Sequence, residues 1–104
     1  MDKIIQLVGM AMRAGKVEIG DRLIPSIQQK KASIVLYSSS CGNNRKKKIK
    51  DKCTTYEIPY VEINEADFNQ ISTRSISSLA IADSGFAKAI LKEYKERIGD
   101  YIGK

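Results

Sequence analysis

The chain contains no histidine, and its two cysteines, Cys41 and Cys53, do not form a close-spaced pair. Histidine is the commonest metal ligand and general base, so its absence argues against a metal centre and against acid–base catalysis. The cysteines are expected to be reduced thiols, since no nearby residues complete a metal or redox site. We therefore expect no catalytic residue, no metal and no cofactor.

Long apolar runs are also missing, because none approaches the roughly 18–20 residues that a membrane span needs. The first residues lack the basic start and apolar block of a secretory signal. The sequence thus predicts a cytoplasmic protein that does not contact a membrane. With 104 residues, we expect one domain spanning residues 1–104.

Positive charge is concentrated in the first half of the chain. Residues 1–52 carry 12 Lys and Arg against 4 Asp and Glu, giving +8, whereas residues 53–104 carry 6 against 8, giving −2. A basic half favours a polyanionic partner, and nucleic acid is the simplest one. The alternative is a soluble protein whose excess of positive charge has no role in binding.

The apolar pattern alternates between helical and strand periodicity. It predicts helices over 2–13, 45–56, 65–71 and 84–98, and strands over 16–19, 33–38, 60–63 and 76–82. Asn43 and Asn44 are expected to cap the helix that follows them. This alternation predicts an α/β protein with a three-layer α/β/α sandwich.

The stretch 16–31, KVEIGDRLIPSIQQKK, is predicted to turn at Gly20 and then enter a further helix. Pro25 is tolerated only in the first turn of a helix, so the start is placed at Gly20 or Asp21, with Asp21 as the cap. The unpaired N–H groups of such a helix start favour phosphate binding.

Three blocks carry a resemblance to a known family: residues 9–16 (GMAMRAGK), 31–36 (KASIVL) and 80–87 (AIADSGFA). Together with Asn44, the basic run after it, and Pro59, they resemble the small bacterial relatives of ribosomal protein L7Ae. The resemblance covers nearly the whole chain. It implies a mixed four-stranded sheet, no catalytic activity, and binding to a sharply bent RNA duplex with tandem G·A pairs.

The resemblance also implies two RNA-binding surfaces. The first consists of Lys16, Gly20, Asp21 and Arg22, and the second, expected to cover an unpaired base, consists of Ile71, Ser72, Thr73, Arg74, Ser75 and Ile76. The archaeal family has Asn-Glu and a lysine where this chain has Asp21, Arg22 and Pro25, and it usually has glycine where Thr73 stands. An alternative role remains open for each of two residues. Arg22 pairs with a carboxylate, either Asp21 or Glu18. Lys16 only protects an edge strand from aggregation.

The densest basic run supplies accessory phosphate contacts in this scheme, and it comprises Arg45, Lys46, Lys47 and Lys48. Its alternative is a solvated helix face. We therefore expect a monomeric, non-catalytic protein that binds bent, kink-turn-like RNA, is associated with ribosomes, and has no small-molecule substrate. The alternative function is a protein-interaction module that kept the fold and lost specific RNA binding.

Overall fold

A computed structural model describes residues 2–71 and 76–98 of the chain. The elements, in chain order, are α1 (Asp2–Arg13), β1 (Val17–Glu18), a 3-10 turn (Gly20–Arg22), α2 (Leu23–Gln28), β2 (Ile34–Ser38), α3 (Asn43–Tyr56), β3 (Tyr60–Ile63), α4 (Glu65–Phe68), β4 (Ser78–Ile81) and α5 (Ser84–Ile98). Each helix and strand expected from the apolar pattern is present, and the boundaries of α1, β3 and α5 agree with expectation.

The four strands form one mixed sheet in the order β1-β4-β2-β3. β4 runs antiparallel to both of its neighbours, β1 and β2, whereas β2 and β3 are parallel. The apolar run of β2 is central in the sheet and all five of its residues are buried. The predicted mixed four-stranded sheet is confirmed.

Side chains of the sheet alternate between two cores, as the period of a strand requires. Ile34 and Leu36 of β2 point into a core shared with α1, α4 and α5. Val35 and Tyr37 point into the opposite core, which is shared with α2 and α3. Helices therefore cover both faces of the sheet, which confirms the three-layer α/β/α sandwich.

Helix starts differ most from the sequence expectation. The expected helix start at Gly20 or Asp21 is a 3-10 turn, and the α-helix, six residues long, begins only at Leu23. Pro25 thereby lies in the first turn, where its missing N–H costs no hydrogen bond. Asp21 caps neither segment through its side chain, so its predicted role as a cap is wrong.

Two other ends also differ. The prediction that Asn43 and Asn44 cap the helix is wrong, because α3 already begins at Asn43. The N-cap position is occupied by Gly42, and no side chain caps the helix there. The 65–71 helix is shorter than expected, since α4 ends at Phe68. Within residues 2–71 and 76–98, no helix is long and apolar enough to cross a membrane.

Candidate nucleic-acid interface

The sheet topology gathers three connecting segments at one edge of the sheet. Because β4 is antiparallel to β1 and β2, its first residue lies near the last residues of those strands. The turn Gly20–Arg22 follows β1, the start of α3 follows β2, and Ile76 precedes β4. Segments far apart in sequence thus converge on one rim, which we call the binding rim.

A cavity of about 320 Å³ lies in the binding rim. Both predicted RNA-binding surfaces contribute to its walls, together with one residue of the basic run; the lining comprises Gly20, Asp21, Arg45, Ile76, Ser77 and Ser78. The backbone of Gly20 has φ of +61°, a left-handed conformation that favours glycine. The structure therefore places two residues of the first predicted surface, Gly20 and Asp21, and one residue of the second, Ile76, around one cavity.

Arg45 contributes a positive charge to the lining of this cavity. Its Nε donates a hydrogen bond to Oγ of Ser78 at 2.9 Å. Ser78 is the first residue of β4 and is buried, while Arg45 is half-buried in the first turn of α3. The guanidinium is thus attached to the sheet rather than extended into solvent.

A second groove, of about 310 Å³, runs along α2 from Asp21 and Arg22 to Lys31. Arg22 is highly exposed, and its Nη1 lies 4.0 Å from Oε1 of Glu18. An ion pair this long and this exposed to water is weak. Arg22 therefore has the carboxylate neighbour that the alternative interpretation expected, yet its donors remain accessible.

The charges lining these two cavities are mixed. Arg22, Lys31 and Arg45 provide positive charge, and Glu18 and Asp21 provide negative charge. The cations outnumber the carboxylates, but the carboxylates lie among them. Such a surface suits a ligand that presents both phosphates and base edges, because a carboxylate accepts hydrogen bonds from base amino groups.

Several predicted site residues lie elsewhere. Lys16 lies at the other end of β1, where its carbonyl accepts from the N–H of Ala82, and it lines neither cavity. Its exposed side chain beside an edge strand fits the protective alternative. Ile71 is buried in the core and borders a different groove, on α1. The remaining predicted residues, Ser72, Thr73, Arg74 and Ser75, lie outside the described residues.

The basic run divides into three environments. Arg45 contacts β4, whereas Nζ of Lys46 donates to the carbonyl oxygen of Ser39 at 2.8 Å and lies 3.6 Å from Oε2 of Glu62. Lys47 and Lys48 are exposed. The run is therefore not one uniform solvated face, and only Lys47 and Lys48 have the exposure expected of accessory phosphate contacts.

The two cysteines are buried free thiols. Burial raises the pKa of the Cys53 thiol to about 12, so the reactive thiolate is rare at neutral pH. No cluster of metal-ligating side chains occurs in the part of the chain that the structure describes.

Sequence reasoning missed Ser77 and Ser78 as lining residues, and it assigned Arg45 to the outer face of its helix. Nothing in the serine pattern distinguishes these residues from ordinary strand residues. For Arg45 a signal was present: it precedes the buried Ile49 and Cys53 at intervals of four, so the three share one helix face. That spacing predicts an arginine directed at the sheet.

Comparison with known proteins identifies the family to which this fold belongs. Residues 2–91 match the Ribosomal protein L7Ae/L30e/S12e/Gadd45 family. Two relatives are both called RNA-binding protein YlxQ. The one from Enterococcus faecium is 42% identical over 88 residues, covering 83% of this chain and 85% of the relative. The one from Bacillus subtilis (strain 168) is 34% identical over 91 residues, covering 82% and 88%.

A solved structure of a protein of unknown function from Bacillus halodurans is also similar. It superposes with a TM-score of 0.79 at 28% sequence identity, covering 86% of this chain and 94% of that one. The chain therefore belongs to the Ribosomal protein L7Ae/L30e/S12e/Gadd45 family, as its sequence blocks indicated. The expectation that the chain is not an enzyme is confirmed by this membership.

Proposed function

We propose that this chain binds structured RNA that contains a sharp bend, and that the binding rim is its contact surface. The observation that carries the proposal is the cavity that Gly20, Asp21, Arg45 and Ile76 line together. The name RNA-binding protein, given to both curated relatives, supports the same partner. Bent RNA is favoured because residues of both predicted surfaces line one cavity, and a kinked duplex brings two of its parts close enough to contact one site.

In this proposal the basic half first attracts the RNA backbone, with the exposed Lys47 and Lys48 contacting phosphates. The turn Gly20–Arg22 then enters a groove of the RNA, and Arg22 contacts a base edge. Because α2 is only six residues long, its dipole contributes little, and side-chain contacts carry the interaction. Ile76 contacts an unpaired base, and recognition of unpaired bases is common among RNA-binding proteins.

Kink-turn specificity, association with ribosomal RNA, a cytoplasmic location and a monomeric state belong to the same proposal. Together they describe a small accessory protein that binds a bent element of a larger RNA. The exposure of Lys47 and Lys48 is compatible with such a role.

A competition assay tests the proposal. The labelled RNA is a duplex with a three-nucleotide bulge flanked by G·A pairs, and the competitor is a straight duplex of the same length and composition. We expect the bent RNA to bind more tightly, with an affinity that falls steeply as salt concentration rises. Equal and weak binding to both would contradict the proposal. Recovery of a stable protein partner after nuclease treatment would then favour a protein-interaction module.

A further inference from the structure

Arg45 differs from the lysines that follow it in both position and partner. It lines the cavity of the binding rim, whereas Lys47 and Lys48 are exposed on the helix surface. The ion pairs within residues 2–71 and 76–98 involve Arg22 and Lys46, so no described carboxylate forms an ion pair with Arg45. Its positive charge is therefore available to a ligand that enters the cavity.

Ser78 fixes the orientation of the Arg45 guanidinium. The hydroxyl accepts from Nε at 2.9 Å, and Ser78 is only 2% exposed in a strand paired on both sides. An arginine has five N–H donors in a rigid plane, so engaging Nε sets the plane and leaves the donors of the two terminal nitrogens. A guanidinium held in this way is prepared to bind a planar partner with two neighbouring acceptors.

The surroundings of Arg45 favour a base over a phosphate. Asp21 lines the same cavity, and its carboxylate repels a phosphate group, whereas it accepts hydrogen bonds from a neutral base. Ile76 adds an apolar wall to the cavity of about 320 Å³, and Gly20 adds no side chain to it. Guanine presents two adjacent acceptors, N7 and O6, which match the two donors of an arginine.

We infer that Arg45 is the specificity-determining residue of the proposed RNA site, that it donates to N7 and O6 of a guanine, and that Ser78 is its positioning residue. This inference rests on the proposed function and adds a residue on α3 to the two predicted surfaces. It makes the first residue of the basic run a base contact, whereas Lys47 and Lys48 contact phosphates.

The test uses the bent RNA described above and two copies in which one or the other G·A guanine is 7-deazaguanine, which lacks the N7 acceptor. For the full chain we expect one of these copies to bind at least 5-fold more weakly, since a bidentate arginine–guanine pair supplies about 1–3 kcal/mol. Arg45→Lys keeps the charge and loses the paired donors. It should bind the normal RNA at least 5-fold more weakly and show no further loss with 7-deazaguanine.

Two further variants separate positioning from charge. Ser78→Ala keeps Arg45 and removes its acceptor, so we expect a smaller loss of affinity for normal RNA, reduced sensitivity to 7-deazaguanine and an unchanged salt slope. Lys48→Ala is the matched control, because it should lower the salt slope by about 1 and keep full sensitivity to 7-deazaguanine. Circular dichroism and thermal melts check that each variant is folded.

The failures of the two proposals are distinguishable. If the unmodified chain prefers bent RNA but binds both 7-deazaguanine copies as tightly as the normal RNA, the role of Arg45 is wrong and the proposed function stands. Full guanine discrimination by Arg45→Lys would lead to the same conclusion. If the unmodified chain shows no preference for bent RNA, both proposals are wrong.

Discussion

Lys46 and Glu62 link α3 to the edge strand β3, with Nζ of the lysine 3.6 Å from Oε2 of the glutamate. The same Nζ donates to the carbonyl oxygen of Ser39 at 2.8 Å, and the lysine side chain is only 21% exposed. Lys46 is therefore held against the protein by two acceptors. Among the residues of the basic run, it is the lysine with a structural role.

Lys46→Ala should lower the free energy of unfolding by up to about 1 kcal/mol, because it removes a partly exposed ion pair and one hydrogen bond. Lys47→Ala is the matched control, and its effect on stability should stay within about 0.5 kcal/mol. Urea denaturation at low and high salt measures both. Equal stability of the two variants at low salt would contradict the structural role of Lys46.

Arg22→Ala should reduce the preference for bent over straight RNA, because Arg22 lies in the turn that is proposed to enter the groove. Its stability should change little, since its pairing with Glu18 is long and exposed. Lys47→Ala, in contrast, should weaken the binding of both RNAs by the same factor, because a phosphate contact does not distinguish RNA shapes or sequences. Binding titrations with both RNAs measure the ratio of affinities. An unchanged ratio of the two affinities in Arg22→Ala would show that Arg22 does not belong to the proposed site.

Gly20→Ala and Gly15→Ala form a second matched pair. Both glycines have a left-handed backbone conformation, with φ of +61° at Gly20 and +71° at Gly15. An added Cβ would meet no atom within 4 Å at either position. Each substitution should therefore cost about 1–2 kcal/mol through the backbone alone. Only Gly20 lines the cavity of the binding rim, so only Gly20→Ala should also weaken RNA binding under conditions where both variants are folded. Equal RNA affinities would exclude close approach of RNA at Gly20.

Stability should fall as the pH rises above about 9. Burial raises the pKa of Cys53 from 9.0 to about 12, and burial together with the charge of Glu62 raises the pKa of Tyr37. For the thiol between pH 9 and 12, the unfolded chain has lost a proton that the folded chain retains, so raising the pH favours unfolding by up to about 1.4 kcal/mol per pH unit for this group. Cys53→Ala should show a shallower decline between pH 9 and 10.5 in urea denaturation. An identical slope would show that Cys53 does not contribute.

The fold was predictable because its elements carry strong apolar periodicity. α1 repeats buried residues at helical spacing, through Ile4, Val8 and Ala11, and β2 is an uninterrupted β-rich run. The start of α2 was less predictable, because Gly20 and Pro25 satisfy a 3-10 turn and a first helical turn equally well in sequence. Asn43 and Asn44 resemble a cap by composition, yet they are the first two residues of α3.

The candidate site was only partly predictable. Gly20, Asp21 and Ile76 could be named from the resemblance, and the structure places them around one cavity. Arg45 was predicted to contact phosphate, because charge density alone does not show which face of a helix a residue occupies. Its contact with Ser78, 33 positions further along the chain, depends on the pairing of β4 with β2, which local sequence patterns do not specify.

The place of β4 has a consequence for when the chain acquires its recognition surface. β4 is the last strand in sequence, yet it is inserted between β1 and β2, and its first residue fixes Arg45. A shortened chain that ends before β4 retains Gly20, Asp21 and the whole basic run but has nothing to hold them at a set spacing. Capacity for selective binding should therefore arise all at once when the sheet is completed, and peptides cut from α3 should show only unselective attraction to polyanions.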